Sequence, residues 1–578
     1  MDLMSELPPH GDVVEGCQVF LTTGLQLGFL PKALYLEAVS RDMHAVHPFL
    51  LFSVLAISAR FTACLAKRFG GSSNASDYFI ELASHCVAEQ MYETSLENMQ
   101  AFFLLGMAEW ARGNRSRSSI DMGIAVRMAG NLRLHREESY ALSADSTAEQ
   151  IVQSEVARRT FWVCLNHDNL ATGHDQPVSF ARNDITTLLP CEEDEFAFGR
   201  VPHGRAALPG TKAAEDNPAL TVLPSRSLFA SLIQGHDLWG QIARRACQDG
   251  RHLLGDEFKR WDSRSKYSRL ASELREWEEH LPAPHRWSAW NFRGYRTAGV
   301  HLAFLSLVMI SRLNNIILRR VHLSSMHAAS TSSASPIDGS PTGFWHRMAY
   351  ELFTDVHSLY TSLDLFFTLQ RSSEGLPSML AFSVYTCGAL AASLIRTPSL
   401  CAKRAPEAEI ILTASVSNLE RVADKWPAAL QFVGALHKAA ADTPGPSHEG
   451  STAHAATPHI GAAQQHAPHE RSISRPYSTA DPAPNALYNT FASSPTFADA
   501  NRALGPNLQD AQLGGQTLSR YAQHALSQSG PGHGVHGMSQ PHGQHGGDAW
   551  PDFDFSNTFE HDLDEFVQGY VSLDFRAE

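Results

Sequence analysis

Cysteine is scarce and scattered in this 578-residue sequence. The eight cysteines are Cys17, Cys64, Cys86, Cys164, Cys191, Cys247, Cys387 and Cys401, and no two lie within ten residues of each other. That spacing excludes zinc ribbons built on CxxC pairs and any dense disulfide framework. Several sit in apolar stretches, which reads as buried free thiols in a reducing compartment. The N-terminal MDLMSELPPHGD has no basic segment followed by an apolar run, so no secretory signal is expected. Long apolar runs are lacking as well. Segments 48–59 and 298–310 fall short of the about 20 residues that span a bilayer. Segment 380–395 is interrupted by Ser383, Tyr385, Thr386 and Gly388 and reads as a buried helix. Positive charge is in deficit: 46 Lys and Arg against 60 Asp and Glu leave a net −14. This argues against broad binding of a phosphate backbone, a local basic patch aside. No cluster of five to eight basic residues offers an import signal, and neither a Gly-x-Ser-x-Gly nucleophile nor a phosphate loop ending in Gly-Lys-Ser/Thr is found.

What is present is helical pattern. The length suits roughly two to four domain-sized units. Up to about residue 443 apolar residues recur at helical spacing and strand-like alternation is rare, so the fold class is all-α. Pro48 opens a helix at FLLFSVLAISARF, as proline does at a first turn. Residues 95–112 form another, capped at Thr94 or Ser95 and stopped by Gly113-Asn114. The next runs over 116–129, with Ile120, Ile124 and Met128 on one face, and the two make a hairpin in which Gly106 and Gly123 permit close approach. Further helices are expected over 152–169, 226–247, 266–280, 293–320, 344–370, 378–396 and 406–440. The polar insert 322–343 is expected as a loop. From Thr443 to Gly547 there is no Lys and little large aliphatic side chain, so 443–547 is read as a disordered low-complexity linker. Residues 548–578 carry nine acids, one base and seven aromatics. There Phe559, Leu563, Phe566 and Tyr570 fall on one helical face, with Trp550, Phe553 and Phe555 ahead of them. Such acidic-aromatic segments fold on a partner groove; the alternative is a terminal helix docked on the body.

The most specific pattern lies at 95–199. SLENMQAFFLLGMAEWARGN leads into MGIAVRMAGNLRLHRE, then SEVARRTFWVCLNHDN, and finally a loop with Pro177 and DITTLLPC. Gln100, Gly113, Asn114, Arg127, Met128, His135, Glu137, Glu155, Arg158, Arg159, Phe161, Trp162, Cys164, Asp168, Pro177, Asp184, Pro190 and Cys191 carry it. In order and spacing it resembles the regulatory, or middle-homology, domain of fungal zinc-cluster transcription factors. The resemblance covers roughly 15–320, with 344–442 as helices packed on that domain and 443–547 and 548–578 as linker and activation-like segment. Three positions depart from the family pattern: Asn169 follows Asp168 where Arg is usual, and Asp175-Gln176 precede Pro177 where Gly-Arg is usual.

The resemblance implies a nuclear regulator of RNA polymerase II genes and no enzyme. It also implies a segment of six cysteines holding two zinc ions and contacting DNA. Before residue 95 this sequence has only Cys17, Cys64 and Cys86, so the zinc cluster is expected to be absent from the chain, and zinc enters only with an upstream cysteine cluster. DNA is then reached through a missing or partner-supplied module, with coactivators, a possible homo- or heterodimer and no membrane as the remaining partner expectations. A partner-dependent corepressor or decoy is the alternative; an all-helical enzyme is disfavoured because no catalytic constellation emerges.

Each residue cluster has a plainer reading. Arg158 and Arg159 share a face with Trp162 on a helix, which reads either as a polar hub relaying a signal or as Arg stacking on Trp or pairing with Asp168 to lock packing. The latter is favoured. His167-Asp168 resembles the adjacent His-Asp pair of metal phosphohydrolases, but further ligands are not in evidence. The histidines of 533–545 read as low-complexity composition. Arg115 and Arg117 read as a solvated turn, and Trp277, Trp287 and Trp290 as core and loop packing. No catalytic or metal-binding residue is assigned.

Overall fold

Pro48 does open a helix, and the helical periodicity that follows is realised along the chain. The structure, a computed structural model, describes residues 3–24, 26–171, 179–249, 258–331, 339–371, 374–377, 379–423, 425–427 and 429–441. Among these residues there is no β-strand. The chain is all-α. It begins with α1 (His10–Val19), α2 (Lys32–Arg41), α3 (Pro48–Ser58), α4 (Ala63–Arg68) and α5 (Ser72–Gln90). The hairpin α6 (Leu96–Arg112) and α7 (Arg115–Asn131) and the long α8 (Ala148–Ala171) follow. Short α9 (Glu193–Ala197) and α10 (Lys212–Asp216) lead to α11 (Leu228–Asp249), α12 (Lys266–Glu279), α13 (Ala289–Thr297), α14 (His301–Arg320) and α15 (Leu323–Thr331). The last described helices are α16 (Phe344–Leu369), α17 (Leu380–Arg396), α18 (Ala408–Ala423) and α19 (Ala429–Ala441).

The hairpin shows why local signals sufficed there. The Ser95 hydroxyl accepts from the Asn98 amide at 3.1 Å and starts α6. Gly113 ends it at φ +91, a left-handed conformation that costs a side-chain-bearing residue strain. Gly106 lets α7 approach: a Cβ there would lie 3.1 Å from the Ser118 carbonyl oxygen and 3.0 Å from Met122 Cγ. Gly123, expected to do the same, faces open space. The buried face of α7 also differs from the expected Ile120–Ile124–Met128 stripe. Ile120 is 63% exposed, and Ser118, Asp121, Ala125, Met128 and Ala129 are buried. Three of these, Ser118, Ala125 and Ala129, are small, as close approach of the helices requires.

Helix α14 packs against α11, α12, α13, α16 and α17. It is the one helix among the described residues long and apolar enough to cross a bilayer, but 89% of its apolar window is buried inside the protein. That burial is what a core helix of a folded protein shows. One hydrophobic core cluster extends from Met4 to Leu436, so α16 to α19 complete the same core that α3, α6, α11 and α14 begin.

Several boundaries are corrected. The expected helix 293–320 is two, α13 and α14, divided at Gly299 (φ +72) and Val300. The expected helix 406–440 is also two, because Pro427 has no amide hydrogen and cannot sit inside a helix. The insert 322–343 begins as α15, anchored by buried Met326. Trp290 is 81% exposed instead of packed, whereas Trp277 is buried and Trp287 stacks near Phe304.

Candidate functional site

Helix α8 carries most of the residues singled out in the sequence, and it gathers two chain segments onto itself. Arg158, nearly buried, donates two hydrogen bonds to the Glu137 carboxylate, both at 2.6 Å. This is the fork geometry that favours arginine over lysine. It also donates to the Leu188 carbonyl at 2.9 Å. The same carbonyl accepts from Trp162 Nε1 at 3.0 Å, and the Leu188 amide donates to Glu137 at 2.8 Å. Arg159 is fully buried. It donates to Glu155 at 3.0 Å and to the Cys191 carbonyl at 3.0 Å, and pairs with Glu193. Glu155 accepts from the Cys191 amide at 3.0 Å and pairs with Arg205 at 2.7 Å. Gln100 of α6 joins by donating to Thr160 at 2.9 Å.

Burial alone would raise the Glu155 carboxyl, but the charges of Arg205, Arg159 and Arg158 outweigh it and hold the group below the usual carboxylate range. For Arg158, burial opposes the charged form, and Glu137 with Glu155 more than restores it. The arrangement is an ion network with a buried centre, Glu155 and Arg159, and partly exposed outer carboxylates, Glu137 and Glu193, in which each charge has a counter-charge. Two expectations change in detail. Neither arginine stacks on Trp162: Arg158 lies over the Tyr140 ring at 4.1 Å and Arg159 over Phe196 at 4.2 Å. Asp168 pairs with neither; Ser179 hydrogen-bonds it, and burial raises its carboxyl.

The remaining motif residues divide. Phe161 packs edge-on to Trp162 and Phe180. Half-buried His135 tilts over Phe180 at 5.4 Å, and its carbonyl accepts from the Thr186 amide at 2.9 Å. The Pro190 carbonyl accepts from Ser227 at 2.8 Å. Gly113 and Asn114 form the hairpin turn. Arg127 is exposed and stands apart from the network. Arg117 meets buried Glu109 at 3.3 Å, so it is tied to α6 and is more than a solvated turn. Pro177 and the segment residues Trp550, Phe553, Phe555, Phe559, Leu563, Phe566 and Tyr570 lie outside the described residues, as do all of 443–547 and 548–578. Sequence reading missed Glu193, Arg205, Tyr140 and Phe196 as network partners. None sits at helical spacing from α8, so no local signal marks them.

Further along α8, eight residues past Arg159 and about 12 Å along the axis, His167 reaches a pocket of about 140 Å³. Elements α3, α6, α8, α11 and α14 wall it. Its polar lining includes Gln26, Arg60, His167 and His236. Gln26 is committed elsewhere: its side-chain oxygen accepts from the Leu302 amide at 2.8 Å, at the start of α14. Burial pulls His167 down to about 4 and His236 to about 3, so both rings are neutral at physiological pH. His167 Nδ1 donates to the Val163 carbonyl at 3.0 Å. No group of three or more His, Cys, Asp or Glu side chains converges as metal ligands among the described residues.

Residues 25–278 match the family model described as fungal specific transcription factor domain. They span the hairpin, the ion network and part of the pocket. This region is similar to a fungal transcription factor domain. The domain's relatives include an uncharacterized transcriptional regulatory protein of Schizosaccharomyces pombe, 26% identical over 308 residues, which are 51% of this chain and 44% of the relative. A second such protein from the same yeast is 24% identical over 317 residues, 53% of this chain and 32% of the relative. The Zn(2)-C6 fungal-type transcription factor FTF1c of Fusarium oxysporum f. sp. lycopersici is 27% identical over 338 residues, 55% of this chain and 35% of the relative. The chain thus spans less than half the length of these relatives. No solved structure matches it.

Proposed function

We propose that this chain is a transcriptional regulator whose helical body relays a signal and whose segment 548–578 recruits coactivators. The observation that carries the reading is the similarity of residues 25–278 to a fungal transcription factor domain, with Glu137, Glu155, Arg158, Arg159, Trp162 and Cys191 of its motif joined in one framework on α8. That framework is packing machinery in the main. Its part in regulation is to fix α8 rigidly between the 137–140 and 187–193 segments, so that a change at the His167 end is carried along the helix. DNA contact and zinc belong in this proposal to a module upstream of, or partnered with, these residues, and the place of work is the nucleus.

The test is a reporter assay with the full chain fused to a heterologous DNA-binding module. Activation is expected, falling when Phe559→Ala and Phe566→Ala are combined; undiminished output sinks the helical-face account of the tail. Repression in place of activation would favour the partner-dependent corepressor. Reading the native transcript upstream of Met1 for six closely spaced cysteines tests the zinc module directly.

A further inference from the structure

The ion network and the pocket handle buried charge in opposite ways. Arg158 and Arg159 are each matched by carboxylates. Arg60, in the turn Ala59–Phe61 that follows α3, is equally buried at 5% exposure, yet no carboxylate lies within 4 Å of it among the described residues. Its guanidinium donates only to neutral groups, Ser76 Oγ at 2.9 Å and the Lys425 carbonyl at 3.2 Å. Burial pulls it down to about 10, with the more distant Asp77 opposing, so it remains charged at neutral pH. A buried guanidinium without a counter-ion is costly and is not selected by packing alone. Arg60 lines the pocket. Lining it too is His236, 6% exposed, whose Nδ1 has no hydrogen-bond partner among the described residues. Buried polar atoms are nearly always matched, so His236 Nδ1 calls for a partner, and Arg60 beside it has its hydrogen bonds but only neutral acceptors for them. The rest of the wall is apolar, with Ile57, Met107, Trp110, Leu232, Leu302 and Trp426 prominent. The volume is close to that of an engineered apolar cavity that admits a benzene ring.

We infer that this pocket binds a small organic carboxylate, its body of about six carbons against the apolar wall, its anionic group on Arg60, and His236 giving a second polar contact. The inference deepens the signal-relay reading by naming a ligand class, and rests on it only for the consequence in transcription. The carboxylate would supply a counter-charge that none of the described residues gives. Neutral analogues of the same size would fill the wall and leave Arg60 unmatched.

Calorimetry and thermal shift on the full chain, with benzoate, hexanoate, neutral benzyl alcohol and inorganic sulfate, test this. Benzoate or hexanoate is expected to bind and raise the melting temperature, with benzyl alcohol about tenfold weaker or worse for want of a charge-assisted bond. Sulfate, lacking an apolar body, is expected to leave the protein unchanged. Arg60→Met should erase the preference for carboxylate over alcohol. Ala108→Leu, which fills the pocket, should weaken both carboxylate and alcohol. Exposed Arg41→Met serves as the control. Wild-type protein that binds neither carboxylate, or binds carboxylate and alcohol equally, overturns the inference, as does an Arg60→Met protein that keeps the preference. If Arg60→Met fails to melt cooperatively, unchanged carboxylate binding by Ala108→Leu is the overturning result. Binding without any response of the reporter rejects the relay reading and leaves the pocket assignment standing.

Discussion

Glu155 is the buried carboxylate at the centre of the α8 network. Arg159, Arg205 and the Cys191 amide all converge on it in a site closed to water. Replacing it by glutamine keeps the shape but removes the one carboxylate that Arg205 meets among the described residues and leaves Arg159 with Glu193 alone. The expected loss is about 3–5 kcal/mol, the cost of breaking a buried pair from one side, and chemical denaturation of Glu155→Gln reads it. Asp121 poses the opposite case. Burial and the nearby Glu109 raise its carboxyl to about 7, against Arg117; the unfolded value is about 3.9. The folded state therefore holds the proton more tightly than the unfolded one. Stability from this group is full below about pH 4, falls as pH rises toward 7, and stays low above. Asp121→Asn should flatten that slope and stabilise the protein at pH 8 by on the order of 1 kcal/mol. Urea midpoints at pH 5 and pH 8 for both proteins would show it.

At the scale of elements, the α6–α7 hairpin was legible because its signals are local: a serine cap, a glycine stop and a small residue where the helices meet. Gly106→Val tests the last of these, since the added carbons would press on the Ser118 carbonyl and Met122. A destabilisation of about 1–3 kcal/mol is expected from overpacking, measurable by thermal unfolding. The same substitution at Gly123 should cost less, because nothing lies within 4 Å of a Cβ there. Breaks inside helices were harder to see. Gly299 and Pro427 each sit within a long apolar periodicity that continues on both sides, so periodicity alone joined what the backbone separates. The ion network was half legible. Arg158, Arg159 and Glu155 share one helix, but Glu137, Glu193 and Arg205 arrive from three other segments, and pairing across such distances leaves no spacing to read. The pocket had no signature: Arg60, His167 and His236 are apart in sequence, and each alone is an ordinary buried polar residue.

For the whole molecule, the decisive fact is that one core extends from Met4 to Leu436. The helices after residue 343 are not an appendage. A chain ended at residue 342 would uncover α14 along the side that α16 and α17 occupy, and it should show no cooperative unfolding and aggregate on gel filtration. The order of synthesis sharpens the point. Helix α14 leaves the ribosome before α16 to α19 exist, and at about 5–20 residues per second its remaining cover takes on the order of ten seconds to arrive. Throughout that time it has the length and hydropathy of a membrane anchor. Near its middle stands Arg312, which in the finished fold meets Asp355 of α16 at 3.0 Å. In a nascent chain, placing the same guanidinium at the centre of a bilayer would cost about 2.5–3.5 kcal/mol. A guanidinium at mid-helix thus counts against the entry of this segment into a bilayer while α16 is still unmade, and Glu278 of the earlier α12, 3.8 Å away in the finished fold, offers it a first counter-charge.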